Sequence, residues 1–381
     1  MVNPFKPTFG RTPPLLVGRD DVIVEFATAI EAASGSALAT LLVGARGSGK
    51  TVLLNALEDA ARSQGWIVFS ETATPGLVDR LVHDRLGPLA DDLAGADPVE
   101  LRSISAAGFG VSWDRKGDPS RFRPGLRPLL ELVTDRLAAS GTGVVLTVDE
   151  VHRSALGELR ELTTAVQHAF REDRPLAFAA AGLPAAVSDL LNDDVLTFLR
   201  RANRVDVGPV SPRDVALGLA QPLHDAGRTI TNTALQDAVA ATEGYPFMIQ
   251  LVGDELYRST PAEMITATDA ARAVPAARRR LGRLVHEPAL ADLSDVDRSF
   301  LVAMAHDDGA VPHGRRRRPP RCGRQLRQPV PAAAVGRRRD PTRRTGSGRV
   351  RAAVSTRLPA RARHAEPPRP GQDRSSSHGH A

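Results

Sequence analysis

The chain has 381 residues, a single cysteine (Cys322) and a net charge of +6, which allows two or three domains and excludes an internal disulfide. No apolar run approaches the roughly 20 residues needed to span a bilayer, and the first 18 residues, with Pro4, Pro7, Pro13 and Pro14, do not read as a signal peptide, so a cytoplasmic protein without a membrane partner is expected. The charge is segregated: residues 310–381 hold 19 Arg against Asp340, Glu366 and Asp373, and the first 309 residues are therefore net acidic.

Residues 1–14 are proline-rich and read as an extended lead-in. Leu15-Leu16-Val17-Gly18-Arg19-Asp20-Asp21 follows and opens a helix with Val22, Phe26, Ala29 and Ile30 on one face. An apolar run over 37–43 then meets Gly44-Ala45-Arg46-Gly47-Ser48-Gly49-Lys50-Thr51, which fits the phosphate-loop pattern G-x-x-x-x-G-K-[ST] without a mismatch. Small residues let backbone N–H groups curl around phosphates, and the helix that begins at Val52 adds its positive N-terminal end. In such a loop Lys50 is expected to neutralise phosphate charge and the Thr51 hydroxyl to hold Mg²⁺. An accidental glycine-rich turn is the alternative; lysine occurs only at Lys6, Lys50 and Lys116, which argues against accident.

Strand candidates recur at 37–44, 66–70, 144–149, 176–181 and 204–207, separated by helical patterns, which predicts crossover units and a parallel sheet covered on both faces. The helix after Ser154 presents Leu156, Leu159, Leu162, Val166, Ala169 and Phe170 on one face and ends before Pro175. Between the second and third strands lies a long insertion, about 75–142, with helices at 77–93 and 126–139 and a hairpin candidate at 103–114. It is either a partner or nucleic-acid contact or a helical elaboration of the sheet edge.

The core should therefore occupy residues 15–209. From 210 to 290 the pattern turns helical: Ser211-Pro212 starts one helix, Thr233 another, and Gly244-Tyr245-Pro246 a third, giving a small lid. Residues 291–309 begin a further domain with a helix at 295–306, apolar at Phe300, Leu301, Ala303 and Met304. Residues 310–381 then contain ten prolines, no aromatic residue and seven Val or Leu without period, a composition that cannot offset its ordering entropy. Either this is a native basic arm or the reading frame has shifted near Gly309; a helix that begins and then lacks its partners favours the shift.

The second half of a nucleotide site is Val144-Val145-Leu146-Thr147-Val148-Asp149-Glu150. An apolar strand ending in two acids places Asp149 to hold Mg²⁺ beside the phosphate loop and Glu150 to activate the attacking water. Alone, such a pair is often only the solvated start of a loop. Paired with Lys50 and Thr51 it points to hydrolysis, with Glu150 and Lys50 as catalytic groups.

These motifs resemble the AAA+ and STAND-type P-loop ATPases, near the Orc1/Cdc6-like and transposition-type members and actinobacterial ATP-binding proteins, over about residues 15–260. The resemblance implies an α/β P-loop fold with a five-stranded parallel sheet, a helical lid and ATP with Mg²⁺ as cofactors. It also implies that Gly18, Arg19 and Pro246 border the adenine and that Arg201, rather than Arg200 or Arg204, is an arginine finger acting on a neighbouring subunit. The other reading of these arginines is that they complement the C-terminus of a helix at 194–199.

Relatives carry a DNA-binding winged helix after the lid, which makes DNA, a second copy or a protein partner candidates. Ala181-Gly182 replaces the usual polar sensor, and no Arg lies between Arg228 and Arg258, which favours a nucleotide-gated switch over a ring motor. Asp149-Glu150-Val151-His152 also matches a helicase pattern, but no second domain of that kind follows. The expected function is slow Mg²⁺-dependent ATP hydrolysis used as a switch; the alternative is a non-hydrolysing adaptor or transcription regulator.

Overall fold

The computed structural model describes residues 2–8, 12–94, 124–192, 197–291 and 293–305. Five segments form one parallel sheet: β1 Ala39–Val43, β2 Ile67–Thr72, β3 Val144–Val151, β4 Leu176–Gly182 and β5 Asn203–Asp206, in the order β2-β3-β4-β1-β5, with the polar β5 at one edge. All seven residues of β4 and the first five of β3 are buried, because both faces of a crossover sheet are covered and a central strand meets no water.

Alternate strand residues feed two separate cores. Leu41, Val43, Leu146, Val148, Phe178 and Ala180 face one way, onto helices that include α5 (Leu126–Ala138) and α6 (Leu156–Arg171). Leu42, Val145, Ala177, Ala179 and Ala181 face the other, onto α1 (Asp20–Glu31) and α2 (Lys50–Ser63). Each buried Leu or Phe contributes roughly 1.5–3 kcal/mol of transfer free energy, so these two layers fix the sheet that carries the loops on its C-terminal edge.

After β2 the chain is α-helical over α3 (Leu77–Asp79), π-helical over Arg80–Leu86 and α-helical again over α4 (Gly87–Ala94). The hairpin expected at 103–114 lies outside the described residues. A short helix, α7 (Pro184–Leu191), follows β4. Of the helix expected at 194–199, residues 194–196 lie outside the described residues, and the described part belongs to a 3-10 stretch, Thr197–Arg201, just ahead of β5.

A third core is built from α8 (Pro212–Asp225), α9 (Asn232–Thr242), α10 (Pro246–Ser259) and α11 (Ala267–Leu281), with Leu219, Leu223, Leu251, Val252 and Leu256 fully buried. Ser211 caps α8 by accepting a hydrogen bond from the Asp214 N–H at 3.2 Å. Two-residue strands β6 (Thr229–Ile230) and β7 (Met264–Ile265) pair in parallel beside it.

The proline-rich lead-in is irregular but docked. Phe5 is buried in the third core against Gly253, Asn3 donates to Asp254 at 2.6 Å, and the Lys6 N–H donates to Gln250 at 3.2 Å. Beyond α11 come a π-helical stretch Gly282–His286, α12 (Glu287–Ala291) and α13 (Asp295–Ala305). Phe300 and Val296 on α13 are exposed. Residues 306–381, where the basic arm or shifted frame was inferred, lie outside the described residues. No helix among the described residues is long and apolar enough to cross a membrane.

Candidate nucleotide site

β1 ends at Val43, whose carbonyl accepts the Val207 N–H at 2.6 Å, and the chain then turns through Gly44. Gly44 has no room for a side chain: a Cβ would lie 2.5 Å from Ser48 Oγ and 2.7 Å from the Val207 carbonyl oxygen. Gly47 and Gly49 have φ of +71° and +91°, the left-handed region where glycine alone is unstrained. Gly49 caps α2, so the loop runs directly into the positive end of that helix.

Lys50, at the first turn of α2, folds back over the loop and donates to the carbonyls of Gly44 at 2.9 Å and Ala45 at 2.8 Å. Burial holds its ammonium below the usual lysine value, opposed by Asp149 and Glu150 and assisted by the nearby Arg46 charge. Ser48 Oγ is buried without a hydrogen-bond partner. A buried orphan hydroxyl and an ammonium resting on backbone carbonyls fit an anion in the loop.

Thr51 donates its hydroxyl to Asp149 Oδ2 at 2.6 Å, across 98 residues of sequence. Asp149 ends the regular part of β3, opposite Thr72 of β2, and its other oxygen accepts the Glu150 N–H at 2.7 Å. Between Val148 and Val151 the pairing with β4 slips, and Glu150 is exposed with φ +54°. A hydroxyl and a carboxylate are hard oxygen donors of the kind Mg²⁺ takes, and a glutamate held in a left-handed conformation marks stored strain.

An open cavity of about 520 Å³ adjoins this pair, lined by Thr51, Asn55, Ser70, Glu71, Thr72, Arg80 and Asp149 among others. Glu71 is buried and paired with Arg80 at 2.8 Å and Arg85 at 3.1 Å, both from the π-helical stretch. Arg80 also donates to the Thr72 and Pro75 carbonyls, so it fixes the turn that leaves β2.

The remaining expected nucleotide contacts gather around the segment that leaves β5. Arg19 donates to the Gly208 carbonyl, with burial holding its guanidinium below the usual arginine value against the pull of Asp214. Gly18, at φ +66°, lies against Asp214 and Val210. The Val210 N–H donates to Gly244 O at 2.8 Å, and Pro246 stands 3.8 Å from where a Gly49 Cβ would be. Val52 lies partly buried in the first turn of α2. Gly18, Arg19, Pro246 and the loop therefore sit in one neighbourhood.

Arg201 is not brought there. It is exposed just ahead of β5, whose first residue, Asn203, pairs with Thr40 near the start of β1, so about four residues of strand at ~3.3 Å each separate that level from the loop. Arg200 donates to the Leu191 carbonyl at 2.7 Å, and Arg204 lies 3.4 Å from Asp206.

Four residues escaped the sequence reading. Glu71 and Arg80 surround the cavity, Glu58 accepts the Thr147 hydroxyl at 2.6 Å in the interior, and Tyr245 lies on the loop with its hydroxyl donating to Arg46 O at 3.2 Å. The position of Tyr245 inside Gly244-Tyr245-Pro246, directly at a helix start, was the one signal available.

No curated protein matches the chain. Among solved structures, a Walker-type ATPase of Pyrococcus abyssi shares 16% identity over 72% of this chain and 75% of that one, with a TM-score of 0.46. The Aeropyrum pernix ORC1 protein, solved in complex with DNA, shares 15% over 78% and 74%, with a TM-score of 0.41. Aeropyrum pernix ORC2, solved with ADPNP and ADP, shares 13% over 76% and 74%, with a TM-score of 0.42. Residues 15–179 match the AAA ATPase domain family. That span, a part of the chain that is similar to the AAA ATPase domain family, takes in the loop at Gly44, strand β2 and the acidic end of β3.

Proposed function

We propose that the chain binds ATP with Mg²⁺ at residues 44–52 and hydrolyses it slowly, as a switch read out by the helical unit built on α8–α11. The single observation that carries this reading is the 2.6 Å hydrogen bond between Thr51 and Asp149, which joins the end of the phosphate loop to the acidic end of β3. Backbone N–H groups of the loop and the Lys50 ammonium bind the phosphates. Thr51 and Asp149 would hold Mg²⁺, which would supply positive charge against the phosphates. Glu150 stands one residue beyond Asp149, exposed to solvent, where its carboxylate takes a proton from an attacking water.

The buried, non-polar Ala180, Ala181 and Gly182 at the end of β4 offer no side-chain hydrogen bond to a γ-phosphate, which supports slow turnover. The same observation favours one second reading, a nucleotide held without hydrolysis for hours. Arg201, exposed about four strand residues below the level of the loop, would serve the nucleotide site of a second copy rather than that of its own chain.

Mg²⁺-dependent ATP turnover decides between the readings when wild type is compared with Lys50→Ala and Glu150→Gln. Lys50→Ala should lose nucleotide binding, and Glu150→Gln should keep binding and lose turnover by at least about 100-fold. Unchanged turnover in both variants overturns the site assignment. The same assay with duplex DNA added, across protein concentration, reports whether DNA or self-association sets the rate.

A further inference from the structure

The cradle of residues 44–51 is met at Arg46 and Gly47 by a residue that comes from the helical unit, 199 positions from Arg46. Tyr245 caps α10, its N–H donating to Thr242 O at 2.8 Å and its carbonyl accepting the Ile249 N–H at 3.0 Å. The ring is half-buried and meets the edge of Phe247 with centroids 6.5 Å apart. Its hydroxyl donates to Arg46 O at 3.2 Å, and Gly47 packs so closely under it that no Cβ could be accommodated.

The peptide that joins Arg46 to Gly47 is trans, so its carbonyl and its N–H point in opposite directions. A hydrogen bond that holds the Arg46 carbonyl towards Tyr245 therefore holds the Gly47 N–H away from Tyr245, and polarisation of the amide by a donor on its oxygen makes that N–H a stronger donor. Arg46 and Gly47 flank the centre of the loop, where a bound phosphate draws on backbone N–H groups. Tyr245 is fixed to α10 on one side and, through Gly244 O and the Val210 N–H, to the segment leaving β5 on the other. Its hydroxyl thus moves with the helical unit while its acceptor belongs to the sheet.

We propose that Tyr245 is a positioning residue that aims the Gly47 N–H at the nucleotide phosphate, so that the placement of α10 sets the phosphate affinity of the loop. The inference rests on the ATP reading above. It extends that reading by naming the atom pair through which the helical unit and the nucleotide affect one another: bound nucleotide fixes the Arg46–Gly47 peptide, and that peptide retains Tyr245. Linkage requires the converse, that displacement of α10 weakens nucleotide binding by the same factor.

The test is Tyr245→Phe, which removes the hydroxyl and keeps the ring, measured in the full chain beside wild type and Lys50→Ala. For Tyr245→Phe, one lost hydrogen bond predicts ATP and ADP affinity weaker about fivefold to tenfold, KM for ATP raised by a similar factor and kcat unchanged within about twofold. The nucleotide-free melting temperature should stay within about two degrees of wild type, and the Gly47 amide proton resonance should move upfield. Nucleotide affinity equal to wild type in Tyr245→Phe, with Lys50→Ala unable to bind, overturns the role of Tyr245 alone. A lowered nucleotide-free melting temperature with unchanged KM assigns Tyr245 to packing and also overturns it. Wild-type binding by Lys50→Ala overturns the phosphate site, and this inference with it.

Discussion

Glu58 and Thr147 meet in the interior at 2.6 Å, two helical turns along α2 from Thr51 and two strand residues along β3 from Asp149. Seven residues of helix and two of strand return to the same face, so the buried hydrogen bond sets the register in which Thr51 meets Asp149. Arg62 closes the other side of Glu58 at 2.9 Å.

Replacing Thr147 with Val removes the donor at nearly constant volume and leaves a buried carboxylate oxygen unpaired. Thr147→Val should lower the unfolding free energy by about 1–3 kcal/mol in denaturant titration, and should lower ATP turnover as well, because α2 loses its strut against β3. Wild-type stability would show that Arg62 alone satisfies Glu58.

Glu150 has φ +54°, a conformation that costs a side-chain-bearing residue roughly 1–2 kcal/mol, of which glycine's backbone entropy offsets about 0.5–1 kcal/mol. Glu150→Gly should therefore raise the unfolding free energy by up to about 1 kcal/mol while ATP turnover is lost. A stability gain joined to a loss of activity would separate strain from chemistry at one position. A destabilised Glu150→Gly variant would show that the carboxylate itself supports the fold.

Phe5 is buried between α10 and the rest of the third core. Phe5→Ala should cost about 3 kcal/mol. Faster amide exchange in α10 and α11, with exchange in β3 and β4 unchanged, would show that the cost falls on the helical unit. Uniformly faster exchange would show instead that the two parts unfold together.

Asp269 caps α11: its carboxylate accepts from the Thr266 N–H at 2.9 Å and the Thr266 hydroxyl at 2.7 Å, and pairs with Arg272. The bonds from Thr266 hold its carboxyl below the usual aspartate value, with Arg272 adding to them. A carboxylate with a lowered folded value contributes stability that is fully present above the unfolded value, about 3.9, and is lost as pH falls through the folded one. The stability difference between wild type and Asp269→Ala should accordingly be largest near neutral pH and shrink below about pH 4. A difference that stays constant down to pH 2.5 would assign the effect to capping geometry alone.

The sheet was legible because its central strands are buried on both faces and so appear as unbroken apolar runs; Val144 to Val148 could be little else. The phosphate loop was legible because its chemistry demands fixed residue types at fixed spacing. α11 was missed: its buried face is Ala270, Ala273 and Ala277, too small to give a strong period, and Pro275 breaks the pattern. Its cap, Thr266 with Asp269 three residues on, was the readable sign. Glu71 gave none, because nothing in a strand end announces that two arginines from an unwound helical turn will converge on it. Phe5 was hidden for a related reason, since a lone aromatic in a proline-rich segment carries no periodicity.

The sheet order also bears on how the molecule is made. β1 lies between β4 and β5, and its first pairing, Ala39 with Phe178, spans about 140 residues. At a synthesis rate of about 5–20 residues per second, β1 waits several seconds or more for either neighbour, holding an apolar segment and a glycine loop with nothing to pair against. Newly made chains are thus most exposed to mispairing before β4 emerges, and an N-terminal fragment that stops short of Leu176 should be a chaperone client rather than a folded protein.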